Sequence, residues 1–475
     1  MAANNDQLTR REFLKKTAIF GAGLLVCGVQ VGHARGRERG RERGGRGRNR
    51  ALPIHPDNPA IQLHENRCRN CGDCQKFCSN TMGVFGRNVP SGEEACIYCG
   101  QCTLLCPRAI SERYHYSAVA KAIADPDKIV IASTAPAIRV ALGEMYRLAP
   151  GTNVEGKIVA SLKSLGVNYV LDTTFSADLT VMEEAAELLL RLENSDAKNP
   201  LPMFTSCCPA WVRFVKLFYP NLLPNLSTAK SPMQMQGALT KTYFAQKIGI
   251  DPAKIVNVAL MPCTAKKAEI LLPKTRDVDF VLTSRELAYL LNDSKIDFLQ
   301  MQNAPYDSLM GTGSGSGMIF GNSGGVMEAA LRTAYKLLND KNPPDNFFNL
   351  SPIRGFDNVR RASVDLGKRT LNVAVVHGVN NARPLLESIQ NGTQKLDFVE
   401  VMACSGGCIG GGGQPVSKMN AKKLKQLRQQ ALYQRDASQA IRLSCDNPEI
   451  QTIYKEFLGK PLSKKAKELL HVSGH

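Results

Sequence analysis

The sequence predicts an α/β fold in which mixed sheets are flanked by helices, preceded by a small α+β unit. Between residues 126 and 445, short β-branched runs alternate with amphipathic helical stretches, a pattern typical of a mainly parallel sheet. Before them, eight of the 15 cysteines lie in a single stretch from Cys68 to Cys106. The chain has 475 residues, of which 43% are hydrophobic and 21% charged, so it can bury a large core.

The first 34 residues have the pattern of an export signal. Residues 9–15 read TRREFLK, which is a twin-arginine motif, and an apolar stretch follows at 18–31. That stretch is too short to cross a bilayer as a helix but suits the apolar part of a signal peptide. An amphipathic or short membrane helix is the alternative. We expect residues 1–34 to direct the folded chain through the twin-arginine translocase to the periplasm, without a stable membrane anchor.

Much of the formal net charge of +18 lies in the same region. The first 50 residues hold 12 Lys or Arg and 4 Asp or Glu, which is +8. Residues 35–50 repeat Arg-Gly and Arg-Glu units with almost no apolar residue, so we predict a disordered linker at 35–56. Arg-Gly tracts can also bind nucleic acid. Their position directly after a signal favours a linker, and we expect no nucleic-acid partner.

The eight clustered cysteines form two runs with the same spacing, CxxCxxCxxxC. In such a run three thiolates surround one iron–sulfur cubane, and the fourth cysteine reaches the other cluster. The spacing predicts a ferredoxin-like domain at 57–125 with two [4Fe–4S] clusters that relay electrons. One cluster would be held by Cys68, Cys71, Cys74 and Cys106. The other would be held by Cys96, Cys99, Cys102 and Cys78.

Zinc binding and disulfide bonding are the alternatives for these cysteines. Zinc sites use four ligands with one or two close pairs, commonly with histidine, which two runs of four cysteines do not match. Disulfides form in a periplasm, but cysteines separated by only two residues make poor bridges. The spacing therefore favours clusters.

In the larger part of the chain, short apolar runs predict strands at 128–133, 167–172, 255–261, 280–283 and 371–376. Helices are predicted at 138–146, 181–192, 284–291 and 325–338. Three cysteine motifs lie among these elements: TSCCPAW at 205–211, MPCTAKKAE at 261–269 and EVMACSGGCIGGGGQP at 400–415. Thiolates from three loops can converge on one buried site for a soft metal. Structural cysteines in ordinary turns are the alternative for any single motif.

These three stretches resemble, in the same order and at similar separations, the three H-cluster motifs of iron-only, or [FeFe], hydrogenases. The resemblance covers roughly residues 57–475 and includes 134–144, 178–184, 226–232 and 324–332. It implies a large [FeFe]-hydrogenase catalytic domain at 126–445. It also implies that one [4Fe–4S] cubane is ligated by Cys208, Cys263, Cys404 and Cys408. Cys408 would bridge to a diiron unit bearing CO, cyanide and a dithiolate, which completes the H-cluster.

The resemblance also implies roles for residues that are not ligands. Cys207 would be the thiol that relays protons, and Lys266 would contact a cyanide. The residues expected to pack around the diiron unit are Met261, Met402, Ala135 and Pro136. The proton path of the family corresponds to Cys207, Glu184, Ser227 and Glu187. The two acids are three residues apart, so a helix would present them on one face; from sequence alone, solvated helix residues are the alternative.

The expected activity is the reversible oxidation of H2 to protons and electrons. Electrons would pass through the two [4Fe–4S] clusters to a periplasmic carrier, a c-type cytochrome or a ferredoxin, and maturation proteins would build the diiron unit. A hydrogen sensor or an iron–sulfur assembly factor of the same superfamily is one alternative, and a ferredoxin fused to another reductase is a second. Intact Cys207, Cys208 and Lys266 favour the enzyme.

Four positions depart from the family pattern. Ala210 replaces Gly, Ser405 replaces Pro, Met233 stands where Gln is common, and Ser308 stands where an acid is often seen. We expect these changes to alter tuning rather than cluster assembly. The glycine-rich residues 311–317 lack the Lys-Ser/Thr of a phosphate loop and are predicted to be a flexible turn, not a nucleotide site.

The end of the chain resembles the small subunit of iron-only hydrogenases, here fused to the catalytic part. Amphipathic helical stretches are predicted at 449–457 and 461–470. We expect residues 446–475 to wrap the large domain as a belt. Cys445, just before this segment, is predicted to be a plain surface thiol.

Overall fold

The computed structural model describes residues 51–273 and 275–472, and its strands form three sheets. The predicted signal peptide and most of the predicted linker lie outside the described residues. The strands are β1 (Ile61–Leu63), β2 (Ile110–Glu112), β3 (Ile129–Thr134), β4 (Tyr169–Asp172), β5 (Met203–Phe204), β6 (Ile255–Leu260), β7 (Phe280–Leu282), β8 (Val359–Asp365), β9 (Thr370–His377) and β10 (Phe398–Met402).

Two four-stranded sheets form the framework of the larger part of the described chain. The first has the order β4-β3-β6-β7 and is parallel throughout. The second has the order β5-β10-β9-β8, and only its edge strand β8 is antiparallel to its neighbour. Strands β1 and β2 form a separate antiparallel ribbon next to the clustered cysteines. This arrangement confirms the predicted mixed α/β fold.

Helices cover both sheets. They are α1 (Asp73–Lys76), α2 (Gln101–Leu105), α3 (Tyr116–Ala124), α4 (Glu155–Leu165), α5 (Thr173–Glu193), α6 (Pro209–Phe218), α7 (Pro232–Leu239), α8 (Ala245–Ile248), α9 (Ala265–Glu269), α10 (Ser284–Asp293), α11 (Gly315–Met318), α12 (Gly325–Asn339), α13 (Val379–Gln390), α14 (Ala421–Ser438), α15 (Pro448–Ile453) and α16 (Lys464–Leu470). In the described residues, no helix combines the length and the hydropathy of a membrane span.

Helix α5 joins the two sheets. Its first half packs with β3 and β4, where Phe175 and Leu179 share a core cluster with Ile131 and Leu171. Its second half packs with the other sheet, where Leu188 shares a cluster with residues of β5 and β10. The helix is buried on all sides over most of its length, so its polar residues are buried as well. Asp172 caps it by accepting a hydrogen bond from the backbone N–H of Thr174.

The prediction of a helix at 138–146 is wrong for most of its length. Only residues 142–146 form a helix, and it is of the 3-10 type. The preceding carbonyl groups bond elsewhere: Arg139 O accepts from Val154 N at 2.8 Å, and Val140 O accepts from Gly151 N at 3.1 Å. A segment whose carbonyls serve a neighbouring loop cannot also form α-helical hydrogen bonds.

The flexible turn predicted at 311–317 is also wrong, since its last four residues are buried and begin a short helix. A Cβ added to Gly317 would lie 2.4 Å from Thr174 O, so glycine allows the close approach to α5.

The surface thiol predicted at Cys445 is half-buried, and burial raises its pKa to about 11.

A buried ion pair fixes the cysteine-rich segment to the large sheets. Arg285 on α10 donates to both carboxylate oxygens of Glu112 on β2, at 3.0 and 2.7 Å, and also to the carbonyls of Gly412 and Gln414. Burial alone would raise the pKa of Glu112, but Arg285 outweighs it and holds that pKa below its usual value. The pair therefore stabilises the fold at neutral pH, and this stabilisation is lost as the pH falls through the lowered pKa.

We expect substitution of Arg285 by Leu to destabilise the chain by about 3–5 kcal/mol, because Glu112 is left buried without its cation. The measurement is the free energy of unfolding of the cluster-loaded protein from urea titration at pH 7. Arg361→Leu is the control, since Arg361 is exposed on β8 and its loss should change stability by no more than about 0.5 kcal/mol. Equal stability of the two variants would contradict this role for the ion pair.

Candidate metal centre

The three cysteine motifs meet because each follows the carboxyl end of a parallel strand. Cys207 and Cys208 come after β5, with Cys208 at the start of α6 and Pro209 in its first turn. Cys263 follows β6 of the other sheet, and Cys404 follows β10. Loops at the carboxyl ends of parallel strands are the usual location of sites in α/β folds. Here the loops of two sheets face one another.

The sulfur atoms of the three motifs are close enough to influence one another. Burial raises the pKa of Cys408, and the neighbouring thiols of Cys208 and Cys263 raise it further. The same holds for Cys404, whose pKa is raised well above its usual value by burial and by Cys263, Cys208 and Cys408. Burial also raises the pKa of Cys263, to about 11. Such thiols ionise when a metal binds and supplies the compensating positive charge.

A cavity lies directly beside these sulfurs. It is lined by Cys207, Cys208, Cys263 and Cys408 and by the apolar side chains of Ala135, Pro136, Met233, Met261, Phe320 and Met402. The space open to the centres of water molecules is about 80 Å³, several times the ~10–15 Å³ that one water needs. Every residue predicted to surround a diiron unit is therefore at this cavity, and four thiol groups also line it.

Several buried cysteines beside a cavity are a donor set that fits an iron–sulfur cluster. In the described part of the chain, no three His, Cys, Asp or Glu side chains are placed to share one metal ion. A [4Fe–4S] cubane binds each of its four cysteines through a different iron, so those cysteines stand around a cluster instead of meeting at one point. The cavity and the donor set fit such a group.

Lys266 is the cation at the cavity. Its Nζ lies 2.7 Å from Glu269 Oε2 and donates to Cys207 O at 3.2 Å. Burial alone would lower the pKa of Lys266, but Glu269 and the nearby thiols raise it above its usual value. The ammonium group therefore stays charged beside the cavity. The position of Glu269 on α9, one turn after Lys266, explains how the side chain is held.

The residues predicted to form a proton path lie in one region of the interior, where they influence one another electrostatically. Cys207 interacts with Glu184, and Glu184 interacts with Ser227. Ser227 Oγ donates to Glu187 Oε2 at 2.9 Å. Burial and the charge of Glu187 raise the pKa of Glu184 to about 8, so this carboxyl can carry a proton near neutral pH. Glu184 and Glu187 are 0% and 5% exposed, so they are not solvated helix residues.

Cysteines of the two runs lie near one another, as two clusters shared between the runs would require. Cys74 of the first run interacts with Cys106 of the second. Cys78, the last cysteine of the first run, interacts with Cys96, and both influence Cys102. Three sulfurs also accept hydrogen bonds: Leu52 N donates to Cys74 Sγ at 3.3 Å, Asn70 N donates to Cys68 Sγ at 3.3 Å, and Asn58 Nδ2 donates to Cys96 Sγ at 3.5 Å. Cys68 and Cys71 lie in the same loop and are more exposed.

Gln101 connects the two cysteine systems, and sequence reasoning missed it. Its Nε2 donates to Cys404 Sγ at 3.2 Å and to Gly410 O at 2.8 Å. Cys99, two residues earlier, interacts electrostatically with Cys404. A Cβ on Gly412 would lie 2.2 Å from Cys99 O, which explains why the third motif needs glycine there. The cysteine-rich segment thus touches the third motif at its sulfur.

Glu400 anchors the strand that leads into the third motif, and sequence reasoning missed it as a site residue. This fully buried carboxylate accepts backbone hydrogen bonds from Gly324 at 2.6 Å and Met327 at 2.8 Å, at the start of α12. A helix N-terminus stabilises a carboxylate in this position. The Glu400 carboxylate therefore holds β10 in place, and this strand ends at Met402, two residues before Cys404.

Comparison with known proteins identifies the family. The family model described as "Iron only hydrogenase large subunit, C-terminal domain" matches residues 128–412. The chain belongs to the iron-only hydrogenase family. Models described as "4Fe-4S dicluster domain" and "Iron hydrogenase small subunit" match residues 60–121 and 422–475. The chain is therefore an [FeFe] hydrogenase, an oxidoreductase that interconverts H2 with protons and electrons at an H-cluster and that also carries [4Fe–4S] clusters.

Two curated relatives and a solved structure illustrate the likeness. The NADP-reducing hydrogenase subunit HndD of Solidesulfovibrio fructosivorans is 44% identical over 429 residues, covering 85% of this chain and 73% of its own. The periplasmic [Fe] hydrogenase large subunit of Nitratidesulfovibrio vulgaris is 42% identical over 367 residues, covering 75% and 86%. A variant of the [FeFe]-hydrogenase HydA1 from Chlamydomonas reinhardtii superposes with a TM-score of 0.67 at 39% identity, covering 76% of this chain and 98% of that one.

If Cys404 ligates a cubane, as the resemblance implies, we expect Gln101→Leu to lower its reduction potential, because a donated hydrogen bond stabilises the more negative, reduced state. One hydrogen bond contributes about 0.5–1.5 kcal/mol, which corresponds to roughly 20–60 mV for one electron. Redox titration followed by electron paramagnetic resonance measures the shift. Gln75→Leu is the control, because Gln75 Nε2 donates to a backbone carbonyl, Ala51 O, and not to sulfur. An unchanged or raised potential in Gln101→Leu would contradict the assignment.

Proposed function

We propose that Cys208, Cys263, Cys404 and Cys408 hold the cubane of the H-cluster and that Cys408 also reaches the diiron unit. The observation that carries this proposal is that cysteines from three distant loops share one buried, largely apolar cavity. When bound, the H-cluster supplies the binding and heterolytic cleavage of H2. Met261, Met402, Ala135 and Pro136 shape the cavity and exclude water, and the ammonium of Lys266 provides positive charge for an anionic ligand such as cyanide.

In the same proposal, Cys207 exchanges protons between the cavity and the interior of the protein. Its thiol is protonated, because burial and Glu184 raise its pKa well above the usual value. It passes protons to Glu184, and from there Ser227 leads to Glu187. The step from Ser227 to Glu187 spans one hydrogen bond of 2.9 Å, and Glu184 is near enough to Cys207 for its charge to raise the pKa of the thiol. Glu187 is held in place by Arg191, whose Nη2 lies 2.6 Å from it.

Electrons take a different route in this proposal. The contact of Cys99 and Gln101 with Cys404 supports transfer from the H-cluster to the cluster held by Cys78, Cys96, Cys99 and Cys102. A second cluster, held by Cys68, Cys71, Cys74 and Cys106, lies closer to the exposed end of the segment. This organisation divides the chain into a ferredoxin-like domain at 57–125, a catalytic domain at 126–445 and a C-terminal segment at 446–475.

We further propose that the enzyme acts in the periplasm. The twin-arginine pattern at 9–15 and the likeness to a periplasmic hydrogenase support this location. The partners would then be the twin-arginine translocase, maturation proteins that supply the diiron unit, and a c-type cytochrome or ferredoxin that accepts electrons. The fused small-subunit-like segment is supported by the burial of Ile450, Ile453 and Leu470 against the core of the catalytic domain.

We expect Cys207→Ser to lose H2 turnover by about 100-fold or more, because a hydroxyl is a much weaker acid than a thiol and cannot replace it as a positioned acid–base group. The iron content should stay unchanged, since this thiol is not a ligand. The measurements are H2 oxidation with an artificial electron acceptor and iron quantification on the same samples. Cys445→Ser serves as the control, because this half-buried thiol lies outside the cavity. Full activity of Cys207→Ser would refute the relay role.

A further inference from the structure

The two groups of cysteines in the ferredoxin-like segment differ in how they meet the surface. Cys99 lies against Cys404 of the third motif, so its group faces the interior. In the other group Cys71 is exposed, and Cys68 and Cys106 are half-buried. An external electron carrier can therefore come close to this second group. We call its members, Cys68, Cys71, Cys74 and Cys106, the distal cysteines.

The charged side chains next to the distal cysteines are mostly positive. Within three residues of a distal cysteine the chain has four cations and two acids, all of them exposed. The acids are Glu65 and Asp73. We call the four cations the basic face; they are Arg67, Arg69, Lys76 and Arg108.

The cations of the basic face are not used by the fold. In the described part of the chain, no ion pair and no side-chain hydrogen bond involves any of the four. The cation beside the other group of cysteines is different. Arg213 lies 3.6 Å from Glu93 and donates to Cys96 O at 2.7 Å, so protein groups already neutralise it and hold it in place. The charge of the basic face remains available to a partner.

The arginine-rich tract at 35–50 is attached at the same place. It contains eight Arg and two Glu. Leu52 N donates to Cys74 Sγ at 3.3 Å, which places this end of the described chain beside a distal cysteine. Because Arg50 is joined directly to Ala51, the tract is tethered to the basic face. Its excess of positive charge therefore adds to the charge of that face.

Two apolar residues stand among these charges. Leu105 is 45% exposed and Pro107 is also exposed, and the two flank Cys106 in the sequence. An apolar centre with a polar rim is the usual composition of an interface between proteins. Surfaces that bind nucleic acid are more polar and more strongly positive. The apolar pair therefore favours a protein partner over a nucleic acid.

We propose that the basic face, together with the arginine-rich tract, docks a small electron-carrier protein whose contact surface is acidic. The inference rests on the proposed electron route and decides by charge between its two kinds of carrier. A ferredoxin of negative net charge is attracted to the distal cysteines, and a c-type cytochrome of positive net charge is repelled. Oxidation of one H2 then reduces two one-electron carriers in successive encounters and releases two protons.

The test measures H2 oxidation by the matured, full-length enzyme with two carriers, a ferredoxin of negative net charge and a c-type cytochrome of positive net charge. Arg69→Glu/Arg108→Glu reverses two charges of the basic face. At low salt we expect it to lower kcat/KM for the ferredoxin by about 10-fold or more, because electrostatic steering is lost, and to raise kcat/KM for the cytochrome. At 1 M salt, where the Debye length is about 3 Å, the parent and the variant should converge.

Arg361→Glu/Arg369→Glu is the matched control. It makes the same change in net charge at exposed positions of the β8–β9 hairpin, which is bonded to the end of α12. We expect parent values with both carriers. A third variant, with all eight arginines at 35–50 replaced by Gln, alters no described residue and should lower kcat/KM for the ferredoxin by a smaller factor. Iron content, and activity with a sulfonated viologen of zero net charge, should be unchanged in every variant.

Three results would overturn the proposal. The first is an unchanged kcat/KM for the ferredoxin in Arg69→Glu/Arg108→Glu at low salt. The second is an equal loss in the control, which would indicate an effect of net charge alone. The third is unchanged ferredoxin kinetics together with lost binding to duplex DNA or to vesicles of anionic lipid, which would assign the face to another polyanion. Failure of the underlying electron route looks different, because Cys71→Ala would then still reduce the ferredoxin at the parent rate.

Discussion

The burial of several thiols around one cavity is the constraint on which the rest of this structure depends. Cys404 and its neighbours are enclosed, and Cys208 and Cys263 raise the pKa of both Cys404 and Cys408. Thiolates in such a place are costly unless a metal compensates their charge. The fold brings them together by placing the carboxyl ends of two sheets face to face and joining the sheets with one buried helix, α5. Binding of the cluster and stability of this junction are therefore linked.

In the proposed function, the same junction would separate protons from electrons. Protons would use Glu184 and Glu187 on α5 and Ser227 on the loop before α7. Electrons would cross the contact between Cys404 and the cysteine-rich segment, where Gln101 donates a hydrogen bond to the sulfur. Charged groups along both routes are held by fixed partners, such as Arg285 on Glu112 and Arg191 on Glu187. Because these groups are buried and paired, they keep their positions as charge moves through the site.

The sequence predicted what local spacing determines and missed what only tertiary contact determines. The cysteine runs, the three motifs and most strands could be predicted, because ligand spacing and β-branched runs are local patterns. The helix predicted at 138–146 was wrong, since its carbonyls bond to a loop that local propensity cannot anticipate. Gln101 could not be recognised, because its partner Cys404 is 303 residues away and a single glutamine carries no motif.

The central claim is that one buried site holds a cubane together with a diiron unit bearing CO and cyanide. Infrared spectroscopy, combined with iron quantification, on the full chain produced together with the maturation proteins tests it most directly. The account predicts sharp bands from metal-bound CO and cyanide and an iron content equal to three cubanes plus a diiron unit. A protein whose ferredoxin-like clusters are filled but that shows no such bands after maturation would contradict it.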